Sequence, residues 1–168
     1  MEAALELFAV EDYYGISMKR VADAAELAKG TLYLYFETKE ELFLAIYSDL
    51  FNDFFDELNS QLNQMEASSS LEMASFTAGF MTSKPLLMRL MTLSHSVLEN
   101  NTKAEAVIEF KQHTLQNVAR TGENLERLLP FIKQGGGPSL VMAINALILG
   151  TQQLTNPCLL YTSDAADE

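Results

Sequence analysis

Two imidazoles, His95 and His113, stand 18 positions apart with no HExxH pattern around either, and the single thiol is Cys158. A bound metal needs several convergent ligands, and covalent catalysis needs a nucleophile beside its base. Neither set has its parts, so no catalytic residue, metal ligand or cofactor is expected, and the chain is not read as an enzyme. Gly135-Gly136-Gly137 lacks the Lys-Ser/Thr and preceding strand of a phosphate loop and reads as a linker. The acidic pair Glu40-Glu41 suits a helix start, where carboxylates complement exposed N–H groups, better than proton transfer. The other polar groups of note, Lys29, Thr31, Tyr33, Tyr35 and Lys39, crowd into one short stretch. What they do depends on the element that carries them.

The chain has 168 residues, the size of one globular body with at most a small appended head. Its 11 Lys+Arg against 23 Asp+Glu give a net charge of -12, which opposes nonspecific adhesion to nucleic acid or anionic lipid. Any contact with DNA must therefore be local. One cysteine excludes an internal disulfide framework and points to a reducing compartment. No basic stretch followed by an apolar one opens the chain, and the apolar run 140–149 is interrupted by Asn145 and falls short of the ~20 residues of a bilayer span. A soluble cytoplasmic protein with no membrane partner is expected.

Nearly every segment shows helical spacing and none shows strand alternation, which predicts an all-α fold. Ala4, Leu5, Phe8 and Ala9 mark a short helix ending near Glu11, followed by a turn at 12–15. Ser17 caps a helix through Ala25. After a break at 26–28 a second short helix covers 29–36. Thr38 and Glu41 match a capping box, which opens a long rod on which Leu42, Ile46, Leu50, Phe54, Leu58 and Leu62 keep one apolar face. Further helices are predicted over 71–82, over 84–98 with Pro85 in the first turn, over 103–129 with Thr102 and Glu105 as another capping box, and over 139–154. The last is apolar on nearly all faces and should be buried against a neighbour; 130–138 is a loop.

Two short helices joined by a tight turn, with Ala22 and Ala25 where their backbones approach, fit a helix-turn-helix. The series Ala3-Ala4-Leu5-Glu6-Leu7-Phe8, Ser17-Met18-Lys19-Arg20-Val21-Ala22, Lys29-Gly30-Thr31-Leu32-Tyr33-Leu34-Tyr35-Phe36 and Lys39-Glu40-Glu41-Leu42-Phe43 keeps unbroken register. Over about residues 3–47 it resembles the N-terminal head of the tetracycline-repressor (TetR/AcrR) family of transcription regulators. The resemblance implies a three-helix DNA-binding head at 1–47, with its first helix truncated. A long helix would join it to an incomplete effector-binding and dimerisation body at 48–155.

By the same resemblance, 29–35 enters the major groove. Lys29 and Gly30 would meet phosphate at the helix start, Gly30 allowing close approach. Thr31 offers a hydroxyl and a methyl, Tyr33 and Tyr35 offer phenols, and Leu34 an apolar surface. Ser17 joins the DNA-binding set, Lys39 resembles the family's phosphate clamp, and Leu32 and Phe36 face inward. The implied partners are a pseudopalindromic double-stranded operator, a second copy of the chain through the last two long helices, and a small hydrophobic effector that releases a repressor. In that family picture the rod at 39–65 transmits the effector's signal. Phe76, Phe80, Met88, Met91, His95, Phe110 and His113 are the expected cavity residues, Met and Phe making adaptable apolar walls.

The head departs from the family pattern. Glu26 stands where the family often has Gly, and a non-Gly residue in a left-handed conformation costs about 1–2 kcal/mol. Ala28 replaces a Ser or Thr cap. Residues 1–47 carry four Lys/Arg against nine Asp/Glu, a net charge of -5, and the family's basic N-terminal arm is missing. Weak DNA binding with a shallow salt slope follows. The alternative is an all-helical interaction module without DNA binding, which Tyr35 and Lys39 buried or facing the body would favour. The ending 156–168, with Pro157 and Cys158, resembles read-through from cloning or sequencing adaptors, and a non-native tail on a chain truncated at both ends is expected.

Overall fold

The computed structural model describes residues 1–155; the tail 156–168 lies outside them, as do the side chains of His95 and Thr155. The order is α1 (Glu2–Val10), a 3-10 turn (Tyr13–Gly15), α2 (Met18–Ala24), α3 (Lys29–Tyr33), α4 (Lys39–Gln64), α5 (Ser70–Thr82), α6 (Pro85–Leu93), a π turn (Ser94–Leu98), α7 (Ala104–Leu128) and α8 (Gly137–Thr155). No strand occurs among the described residues, as the all-α reading expects.

The head closes around Phe43, whose ring lies edge-on to Phe8 at 5.6 Å and to Tyr13 at 5.1 Å. Ala4, Val21, Ala22 and Leu32 are buried there too. The Ser17 hydroxyl accepts from the Arg20 N–H at 3.3 Å and starts α2. Thr38 accepts from Glu41 N–H at 3.0 Å, but the Glu41 carboxylate reaches back to Glu37 N–H at 2.6 Å, so the box closes one residue early. Helix α2 ends in a Schellman motif: Glu26 N–H donates to Asp23 O and Leu27 N–H to Ala22 O, with Glu26 at φ +55°. Ala28 caps α3 with no side-chain bond. Glu26→Gly and Ala28→Ser are each expected to stabilise the protein by about 1 kcal/mol. Denaturant midpoints check this, and a destabilised Glu26→Gly would contradict the strain at that corner.

In the body, α4 and α7 run parallel in one register. Asn117 donates to Asn52 Oδ1 at 3.0 Å, Arg120 to Asp56, Asn124 to Asn59 Oδ1 at 2.9 Å, and Arg127 to Leu62 O at 2.7 Å. Each rung joins residues 64 or 65 positions apart, so the helices cannot slide without breaking all four. Asn59, 2% exposed, also donates to Thr121 Oγ1 at 2.9 Å and to Phe55 O at 2.7 Å. Buried amides left unpaired are costly, so this ladder specifies the pairing.

Helices α7 and α8 cross at two glycines. A methyl on Gly137 would come within 2.1 Å of Gly122 O. The Glu126 carboxylate accepts from Gly135 N–H and Gly137 N–H, both at 2.9 Å, and this cap starts α8 two residues earlier than Ser139. The expected helix over 84–98 divides instead into α6 and the π turn, where Glu99 N–H reaches back to Ser94 O at 3.1 Å. The expected Thr102–Glu105 box does not form. Thr102 bonds Leu98 O at 2.7 Å, and α7 starts after Lys103 with no side-chain cap. A capping box forms at Ser69–Glu72, where Ser69 N–H holds the Glu72 carboxyl below its usual range.

Candidate nucleic-acid interface and internal cavity

Leu32, 7% exposed, anchors α3 in the head core, while Leu34 and Tyr35 stand 82% and 75% exposed on the opposite side. The α-helix itself is shorter than 29–35. Leu34 N–H bonds Thr31 O and Tyr35 N–H bonds Leu32 O, so the last turn tightens and carries Tyr35 outward. Phe36 is half-buried against the core, as expected. Tyr33 is exposed, and Lys29 Nζ lies 5.4 Å from its ring centroid. Gly30 is open, with nothing within 4 Å of where a Cβ would sit. Thr31 is half-buried, and Ser17 is exposed, its oxygen already engaged as the α2 cap.

Lys39 is placed differently. Its ammonium is half-buried, donates to Tyr13 O and Ile16 O at 3.0 Å each, and lies 3.9 Å from the Tyr13 ring centroid. Burial holds this lysine below its usual pKa range, with Glu40 opposing. It ties the 3-10 corner to α4, leaving one N–H of three for anything else. Arg20 is likewise engaged, with both terminal nitrogens on Glu11 and one also on Gly15 O at 2.8 Å. Of the head's basic residues, Lys19 and Lys29 are therefore the ones most accessible to a phosphate. Tyr35 does not face the body, and that half of the condition favouring a module without DNA binding is absent.

A cavity of about 330 Å³ lies within the body. Phe51, Phe54 and Phe55 of α4 and Phe110 of α7 form its aromatic wall. Leu87 and Met91 of α6 and Val141 and Ile144 of α8 close other sides. Thr114, Lys111 and Asn145 supply polar atoms, and exposed Leu115 and Met142 mark where it opens.

Of the expected cavity residues, Met91 and Phe110 line it. Phe76, Phe80 and Met88 do not. Phe80 stacks on Phe76 at 5.9 Å and meets Phe54 at 5.0 Å, and Met88 is buried in the surrounding core. His113 sits in a polar surface depression with Asn52, Asp56, Asn117 and Arg120. Helical spacing explains this: 110, 114, 118 and 121 share the cavity face of α7, and 113, 117 and 120 share another. His95 lies in the π turn, its side chain outside the described residues. The three α4 phenylalanines were missed as cavity residues. Phe54 belongs to the apolar face expected of the rod, whereas Phe51 and Phe55 fall outside that series.

Among the described residues no group of three or more His, Cys, Asp or Glu side chains could hold a metal ion, and no helix is long and apolar enough to cross a membrane. Residues 48–160 match the family described as tetracyclin repressor-like, C-terminal domain, and residues 1–46 the one described as bacterial regulatory proteins, tetR family. The chain is similar to a Bacillus subtilis (strain 168) fatty acid metabolism regulator protein, 27% identical over 64 residues. That match takes in 38% of this chain and 33% of the relative's length. An exposed tyrosine turn on a small helical head, a cavity in the body behind it and matches to both parts lead to one conclusion: the chain belongs to the tetR family of bacterial regulatory proteins.

Proposed function

We propose that residues 1–47 read operator DNA and residues 48–155 bind an effector, making the protein a transcriptional repressor released by a small hydrophobic molecule. The observation that carries this reading is the exposed Tyr33-Leu34-Tyr35 edge, held rigidly by Leu32 in the head core. Phenols and an apolar side chain left in water gain by entering a groove of base edges and methyl groups. Gly30 clears the approach, and Lys29 and Thr31 add phosphate contacts. Lys39 mainly positions the head and offers its remaining N–H. The exposed apolar side chains Met142, Leu147 and Leu154 on α8 suit pairing with a second copy, which makes the operator a pseudopalindrome. The protein would then act in the cytoplasm, where the DNA is.

The cavity supports an effector with an apolar body against the phenylalanines and one polar end near Thr114 and Asn145. A relative named for fatty acid metabolism is consistent with an apolar ligand. Selection of bound sequences from random DNA at low salt tests the reading. A pseudopalindrome should emerge. Tyr35→Ala should then weaken binding to it by about tenfold or more, while Lys29→Ala lowers affinity across sequences and flattens the salt slope by about 1. A selection that enriches no sequence would overturn the assignment.

A further inference from the structure

We propose that Leu34 reads the 5-methyl group of a pyrimidine, so that each operator half-site carries thymine opposite Leu34 and 5-methylcytosine can stand in for it. The inference rests on the reading of residues 1–47 as the operator-binding head, and it names the base that this head selects.

In the major groove, side chains with paired polar atoms choose guanine, adenine or cytosine by hydrogen bonding, while apolar side chains meet the methyl of thymine. From Ala28 to Phe36 the chain has no Arg, Asn, Gln, Asp or Glu. Arg20 of α2 is held by Glu11 and Gly15 O. Tyr33 and Tyr35 each bring one hydroxyl, which donates to an acceptor on either purine and so discriminates poorly. Lys29, with its ammonium 5.4 Å from the Tyr33 ring centroid, is a point charge without the fork of an arginine, suited to phosphate. A methyl contact is the remaining means of choosing a base.

Leu34 is placed to make it. Tyr33, Leu34 and Tyr35 are consecutive large side chains left in water, and such a run is a fault in a fold unless a partner meets it. The backbone beneath Leu34 is fixed. Its N–H bonds Thr31 O at 3.2 Å, the next N–H bonds Leu32 O at 3.1 Å, and buried Leu32 and half-buried Phe36 anchor either side. A branched aliphatic side chain also has less rotamer freedom to lose on contact than a long polar one. 5-Methylcytosine carries its methyl on the same ring carbon as thymine. Methylation of a cytosine opposite Leu34 would therefore strengthen a site that the unmodified base leaves weak.

The test measures binding of the full chain, at low salt, to a duplex selected from random DNA. Replacing each thymine in turn by 2′-deoxyuridine removes one methyl and keeps the base pairing. At one position of each half-site this should cost about fourfold, and about fifteenfold when both half-sites are changed. Cytosine at that position should bind weakly, and 5-methylcytosine should recover about fourfold over it. Leu34→Ala should bind the thymine and uracil duplexes alike, and the head should fold as in the parent because Leu34 lies outside its core. Tyr35→Phe should weaken binding to both duplexes and keep their ratio. Uracil tolerated at every position by the parent, or a thymine preference there that survives Leu34→Ala, would overturn the role of Leu34 and leave the operator reading standing. A selection that enriches no sequence would overturn both.

Discussion

Phe43→Ala is expected to cost about 3–5 kcal/mol and to abolish the proposed DNA binding with it. The ring is fully buried and lies edge-on to both Phe8 and Tyr13, so its removal leaves a void bordered by rings that cannot collapse into it together. The head is small, and a small domain has little other apolar burial to offset such a loss. The loss should be local at first. Exchange should rise across α1, α2 and α3 before α7, whose ladder to α4 begins beyond the head. Denaturant unfolding gives the energy and hydrogen exchange gives the location. A cost under about 1 kcal/mol would mean that the aromatic cluster is not the keystone of the head.

Gly137→Ala should destabilise the body by about 2–3 kcal/mol, and Gly122→Ala by a similar amount. A methyl at 137 meets the Gly122 carbonyl, and one at 122 comes within 2.5 Å of Pro138 N and 2.6 Å of Pro138 Cδ. Backbone cannot rotate aside as a side chain can, so α8 must swing away from α7. Val141 and Ile144 would leave with it, opening the cavity. Gly79→Ala is the control. Nothing lies within 4 Å of the added carbon there, and within a helix the change should be neutral or slightly stabilising. Equal denaturant midpoints for Gly137→Ala and the parent would show that the two helices have room to part.

The head was readable because its signals are local. Ser17 and Thr38 cap where a hydroxyl before a helix should, and Glu26 adopts the left-handed conformation that its place after α2 demands. Lys39 was harder. A lysine at a helix start reads as accessible, and only the three-dimensional closeness of Tyr13 O and Ile16 O turns it into a structural tie. The cavity was least readable. Phe80 and Phe110 have the same composition-level claim to it, yet only Phe110 faces the void, because which arc of a helix meets empty space depends on how its neighbours pack. Nothing in the sequence marks Asn52, Asn59, Asn117 and Asn124 as partners. Their pairing needs the parallel α4–α7 register, which no single helix contains.

The neutral character of those paired asparagines has a physiological corollary. Amides gain or lose no proton between mild acid and mild alkali, and mobile ions screen an uncharged contact far less than they screen an ion pair. A phosphate contact made through Lys19 or Lys29, by contrast, weakens as electrolyte accumulates. Rising salt would therefore weaken the proposed DNA contact while the asparagine pairing of α4 with α7 persists.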